Sequence, residues 1–179
     1  MKGQSLSTTL TQTELKRWVV YNPETGLFTW RYQPQETAQW NGRFGGKVAG
    51  HKNKRGYIKI GINGTYYAAH RLAFLYMLGY MPDYVDHKDN IADNNVWDNL
   101  RAATNSENVA NKGAYRTNTS GYKNLSWAKT KNKWYVKVVK NGNIHGGYYE
   151  SLEKAVSIAN SLRLELFGEF AFQETYGGD

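Results

Sequence analysis

Tyr84-Val-Asp-His-Lys-Asp89, followed by Trp97-Asp-Asn-Leu-Arg-Ala-Ala-Thr-Asn-Ser-Glu-Asn108, decides how this chain is read. Asp86 and His87 are adjacent, so on a regular strand they point to opposite sides. An irregular strand end is needed for both to serve one site. The apolar run Leu100 to Ala103 suits a second strand. Thr104 and Glu107 have capping-box spacing, which predicts a helix start there and places Asn108 in its first turns. A strand–loop–strand–helix unit would draw Asp86, His87, Asn99 and Asn108 together.

Those four side chains suit phosphodiester hydrolysis, which needs an activated water and a cation to stabilise charge on the phosphate. Hard divalent ions prefer oxygen ligands, and Asp86 offers a carboxylate and Asn108 an amide carbonyl. An imidazole such as that of His87 takes a proton near neutral pH. Its other ring nitrogen must be held, and Asn99 is the candidate acceptor. The plainer reading makes Asp86, Asn99 and Asn108 turn and cap residues and His87 a packed histidine. Asp89, Asn90, Asp93, Asn94 and Asn95 crowd the same stretch with no assigned role.

The pattern is D-H, then twelve residues on to N and nine more to N, set in N-L-R-x-A-T-x-S-x-N. It resembles the HNH family of ββα-metal nucleases, the phage and intron-encoded homing enzymes in particular. The resemblance implies that His87 is the general base and that Asn99 orients it. It implies that Asn108, where several relatives have histidine, binds a divalent metal with Asp86. The ion expected is Mg²⁺, or Mn²⁺, with no structural zinc. His70-Arg71-Leu72-Ala73 belongs to the same resemblance. Arg71 is expected to touch DNA, whereas a packing role is preferred for His70.

Composition agrees with a polyanionic partner. The net charge is +8 and 15% of residues are aromatic, with a pI near 9.5. Surplus Lys and Arg attract nucleic acid by counterion release. The sequence holds no cysteine, which excludes disulfides, thiolate zinc sites and cysteine nucleophiles. No apolar run approaches the roughly 20 residues that span a bilayer. The polar opening, Met1 to Thr13, lacks the apolar core of a secretory signal. The expectation is a cytoplasmic protein of a phage-infected or bacterial cell, without membrane contact.

Upstream, Thr11 or Thr13 should cap a short helix carrying Leu15, Trp18 and Val19. Tyr21 to Gly26 reads as a turn, Leu27 to Trp30 as a strand, and Gln33 to Gly50 as a loop. Asn63-Gly64 marks a hairpin between Tyr57–Ile62 and Thr65–Ala69. A buried helix is expected from His70 to Leu78, ended by Gly79. Downstream, Lys112 to Gly121 reads as a linker. Three strands follow, at 122–128, 133–140 and 144–149, then a helix capped by Ser151 and ended by Gly168. Alternation puts Trp134, Val136 and Val138 against that helix and leaves Tyr135, Lys137 and Val139 exposed.

The pieces S-G-Y-K-N-L-S-W, K-W-Y-V-K-V, G-G-Y-Y-E-S-L-E-K-A and L-F-G-E-F-A resemble the DNA-binding domain of APETALA2/ethylene-response-factor proteins. That resemblance implies a sheet that lies in a groove of double-stranded DNA. Lys123, Trp127, Lys129, Tyr135 and Lys137 are its candidate contacts. The expected fold is α+β: a ββα-metal nuclease core with an N-terminal hairpin, plus a small three-stranded antiparallel sheet packed on one helix. The expected domains are an extension over 1–55, the nuclease over 56–111, the linker over 112–121 and the DNA-binding domain over 122–172. The expected function is a metal-dependent DNA endonuclease, phage-encoded or homing-type. The alternative is a DNA-binding regulator with an inert HNH fold. One site per chain suits nicking by a monomer, whereas double-strand cutting suits a homodimer.

Overall fold

The computed structural model describes residues 10–177. The first nine residues of the polar opening lie outside that range. Across the described residues the fold is α+β, with short helices and four small sheets. It divides into two compact units, with the boundary between Ala102 and Ala103.

In the first unit, Thr11 caps α1 (Gln12–Trp18) by accepting the Glu14 N–H. Leu15 on α1 is fully buried. β1 (Val19–Tyr21) and β2 (Phe28–Trp30) form an antiparallel pair, with Val19 opposite Trp30 and Tyr21 opposite Phe28. The tight turn between them is made at Gly26, whose φ is +71°.

The expected loop over Gln33–Gly50 instead contains α2 (Ala38–Phe44), capped by Thr37. None of its residues is buried, so it has no apolar stripe to read. Aromatic contacts hold it. Trp40 meets Trp18 at 5.9 Å and Trp30 at 5.8 Å, and Phe44 one turn on at 5.1 Å.

β3 (His51–Lys52), β4 (Ile58–Ile62) and β5 (Thr65–Ala68) form one antiparallel sheet in chain order. The Asn63-Gly64 turn falls where expected, with both residues at positive φ. α3 (Ala69–Leu78) buries Leu72, Ala73, Phe74 and Leu75 and stops at Gly79 in the left-handed conformation. Leu15, Val19, Phe28, Ile60, Ile62, Leu72, Val85 and Leu100 share one core. Each such side chain contributes roughly 1.5–3 kcal/mol on burial. β6 (Tyr84–His87) pairs with β7 (Leu100–Ala103), so Val85 and Leu100 root the strand that carries Asp86 and His87 in that core.

The second unit opens with α4 (Asn105–Asn111), whose capping box is Thr104 with Glu107. Lys112 to Gly121 holds no helix or strand. β8 (Leu125–Ala128), β9 (Lys133–Lys140) and β10 (Asn143–Tyr149) form an antiparallel sheet with β9 in the middle. Gly146, at φ +134°, crosses so close to β9 that a Cβ would lie 2.1 Å from the Val136 carbonyl oxygen. α5 (Leu152–Phe167), capped by Ser151, lays Ala155, Val156 and Ala159 on Leu125, Val136 and Val138. Arg163, 1% exposed, runs through this core. It donates to the Phe172 and Lys123 carbonyls and pairs with Glu174 at 3.1 Å. Its donors are satisfied, which is what makes a buried guanidinium tolerable.

Candidate active site

β6 ends abruptly at His87. The His87 carbonyl accepts the Asn90 N–H, and Asn90 turns the chain at φ +60°. The break follows His87, so Asp86 and His87 themselves both lie on β6. Asp86 and His87 are both buried, at 2% and 6% exposure.

Asp86 faces β7. Its Oδ2 accepts from Arg101 Nε at 2.8 Å and Nη2 at 2.7 Å. Two charge-assisted contacts on one oxygen orient the carboxylate.

His87 Nε2 lies 3.4 Å from Asn95 Oδ1. Burial lowers the His87 pKa, opposed by the Asn95 contact and by the carboxylates of Asp89, Asp86 and Asp93. The imidazole is therefore neutral at physiological pH, the form that can accept a proton. The rings of His70 and Tyr57 stand beside it. Burial pushes the His70 pKa down to about 3, assisted by repulsion from His87, Lys59 and Arg71.

Asn99 ends a 3₁₀ turn (Trp97–Asn99). Its Oδ1 accepts from Asp89 N at 3.1 Å, and its Nδ2 donates to Asp89 Oδ1 and to the Asn94 carbonyl, both at 2.9 Å. Its own carbonyl accepts from Lys88 N at 2.9 Å. Asn99 thus ties the start of the loop after His87 to its end. The amide oxygen beside the imidazole belongs to Asn95, a residue that sequence reasoning left without a role. The only signal for it was the density of Asn and Asp between 89 and 95.

The N-terminal hairpin braces this loop. Tyr21 donates its phenol to the Asn95 carbonyl at 2.7 Å, and Trp97 N donates to the Pro23 carbonyl at 2.8 Å. A Cβ on Gly26 would lie 2.3 Å from the Asn95 carbonyl carbon. Lys52 pairs with Asp93 at 2.7 Å on the exposed side.

The remaining candidates are placed as follows. Asn108 is half-buried on α4, in the second unit. Arg71 Nε donates to the Pro82 carbonyl at 2.9 Å, fastening α3 to the segment before β6. Lys123 is turned inward. Its ammonium donates to the Val109 carbonyl at 3.0 Å and to those of Ala110 and Lys112, at the C-terminal end of α4. Burial, then Arg163 and Lys112, lower its pKa to about 8 against the pull of Glu174.

Lys129 and Lys137 are exposed. Tyr135 stacks on Tyr148 at 4.8 Å across the open face of the sheet. Tyr148 is 49% exposed and was missed as a candidate. Trp127 pairs with Trp134, so it lies at the edge of the helix-side face and not beside Tyr135 and Lys137.

The HNH endonuclease family model matches residues 67–110, from β5 into α4. That span contains all four of Asp86, His87, Asn99 and Asn108. Protein 3.8 of Escherichia phage T7 is 39% identical over 88 residues, 49% of this chain and 73% of that protein. An uncharacterized HNH endonuclease of Acanthamoeba polyphaga mimivirus is 39% identical over 104 residues, 55% of this chain. The chain belongs to the HNH endonuclease family. This HNH chain spans about half, 53%, of the mimivirus relative's length. A solved structure, described as DNA binding and cleavage by the HNH homing endonuclease I-HmuI, is 26% identical with a TM-score of 0.40. It covers 78% of this chain and 76% of that one.

Among the described residues no cluster of three or more His, Cys, Asp or Glu side chains could hold a metal ion. Asp86 offers an oxygen donor oriented by Arg101. Such a donor fits a hard divalent cation that keeps most of its ligands from water and phosphate. Among the described residues no helix is long and apolar enough to cross a membrane.

Proposed function

We propose that this HNH endonuclease cuts double-stranded DNA in a reaction that depends on one divalent cation, Mg²⁺ or Mn²⁺. The observation that supports it most is the neutral, buried imidazole of His87 next to the Arg101-bound carboxylate of Asp86. The ring donates Nε2–H to Asn95, which makes Nδ1 its basic atom. His87 takes a proton from the attacking water. Asp86 supplies one oxygen ligand to the cation. Asn108 is assigned as the second from its spacing in the sequence. The cation, when bound, neutralises charge on the phosphate and on the leaving 3′-oxygen. Asn99 positions His87 at one remove, by holding the loop that follows it.

The second unit, in this reading, is an APETALA2-like module that holds the duplex. Its open sheet face carries Tyr135, Lys137 and Tyr148, with Lys129 in the β8–β9 turn and Trp127 at the rim. Lysines fix position on phosphates, and the stacked tyrosines contact bases or sugars. The phage relative favours a phage-encoded enzyme, and the homing type rests on the resemblance of the sequence motif.

Supercoiled plasmid incubated with and without Mg²⁺ tests the reading. Open-circular product is expected only with the ion, and none from His87→Ala, whose DNA affinity should stay at the parental level. Parental cutting by His87→Ala would sink the base assignment. Cutting undiminished by EDTA would sink the metal.

A further inference from the structure

α4 is too short to hold its own shape. It has seven residues, Asn105–Asn111, and isolated helices below about 12–15 residues are marginal in water. The Thr104–Glu107 capping box fixes its start. Its end needs another device, because the last carbonyls of a helix have no partner within it. Lys112, the C-cap, is extended at φ −67° and ψ 143°, so the left-handed turn that often covers those carbonyls is not made there. The ammonium of Lys123, from the segment before β8, takes that place. It donates to the Val109 carbonyl at 3.0 Å and to the carbonyls of Ala110 and Lys112. A cation at this end also meets the negative pole of the helix dipole. Phe172 N adds a bond to the Ala110 carbonyl at 3.3 Å.

We propose that Lys123 is a positioning residue, a clamp by which the core of the second unit sets the pose of α4 and, with it, the amide of Asn108. The proposal rests on Asn108 being a ligand of the cation. Lys123 is itself held firmly. Its N–H donates to Glu174 Oε1 at 3.0 Å, and its carbonyl accepts from Arg163 Nη1 at 2.9 Å. The Phe172 ring lies 5.7 Å from its ammonium. Arg163 belongs to α5 and is buried. The contacts therefore run without a gap from α5 through Arg163 and Lys123 to Val109 and Ala110, the residues that directly follow Asn108. An ammonium has three N–H donors, and these three carbonyls account for them. Its role is thus to the helix, not to a phosphate. An amide held this way reaches a cation already oriented, as the partners behind metal ligands arrange.

A Mg²⁺ titration of plasmid nicking and hydrogen exchange of the metal-free protein test the clamp together. Lys123→Met keeps the buried stem and removes the donors. It is expected to raise the Mg²⁺ concentration for half-maximal nicking about tenfold, with plasmid affinity in EDTA within about twofold of the parent. Without metal, its amides at the end of α4 should exchange about tenfold faster. Val138→Ala loosens the same core between β9 and α5, and is expected to leave both quantities within about twofold of the parent. Asn108→Ala should shift the Mg²⁺ dependence at least as far as Lys123→Met. Parental Mg²⁺ dependence in Lys123→Met beside an impaired Asn108→Ala overturns the clamp. So does parental exchange at α4, or a shift in Val138→Ala equal to that in Lys123→Met, which would make the effect one of general stability. Parental Mg²⁺ dependence in Asn108→Ala instead removes the ligand assignment, and the proposal with it. If Lys123→Met does not fold, Lys123→Gln, whose shorter arm carries no charge, bears the same comparison.

Discussion

Asp86 owes its orientation to Arg101, and the pair is nearly out of water, with side-chain exposures of 3% and 12%. Removing one partner of a buried pair costs about 3–5 kcal/mol, much of it from the charge left behind. Arg101→Met should therefore lower Tm by several degrees and slow nicking together, as calorimetry and the plasmid assay would show. Parental values in both would mean that the pair is not formed in solution.

His70 makes a different prediction. Its folded pKa, about 3, lies below the ordinary value of 6.5. The unfolded chain therefore binds a proton that the fold does not. Stability from this group is full above pH 6.5 and falls as pH drops toward 3, by about 1.4 kcal/mol per pH unit. His87, lowered in the same sense, adds to the slope. His70→Phe should flatten the dependence of Tm on pH between 6 and 4. A slope equal to the parent's would mean that His70 is solvated.

At the level of elements, the β1–β2 hairpin acts as a splint for the loop from Asp89 to Asn99. Tyr21→Phe removes one hydrogen bond to the Asn95 carbonyl and should cost about 1–3 kcal/mol, because the acceptor is left buried. Nicking should slow with it, while plasmid affinity holds. Gly26→Ala should be worse, since backbone occupies the space a methyl needs. Denaturant midpoints for the two variants give the comparison.

The hairpin at Asn63-Gly64, α3 and α5 were legible in the sequence because burial imposes a period on them. α2 was not, because it buries nothing. Thr37 as a cap and Trp40 with Phe44 one turn apart were its only local traces. Asp86 and His87 were singled out by spacing and residue type. The Asn95 amide was not, because its contact with His87 depends on a loop path set by Tyr21, Pro23 and Gly26, far away in sequence. Lys123 looked like one more basic residue on a strand. Nothing local shows that its ammonium turns back to three carbonyls of another segment.

Across the whole molecule, charge and exposed rings give the second unit its testable surface. Lys137→Ala should weaken plasmid binding and reduce the slope of log Kd against log salt by about 1, as loss of one phosphate contact does. Tyr148→Ala should weaken binding with the slope unchanged, because stacking releases no counterion. Both variants should retain Mg²⁺-dependent nicking at saturating protein. A slope unmoved by Lys137→Ala would take that lysine off the DNA.

The Arg163–Glu174 pair gives the last turns of chain an importance their polar composition hides. A product truncated just before Glu174 would keep a guanidinium in its interior with no counter-charge. Native-looking helices and strands would persist by circular dichroism, yet trypsin should find such a chain far sooner than the full-length one.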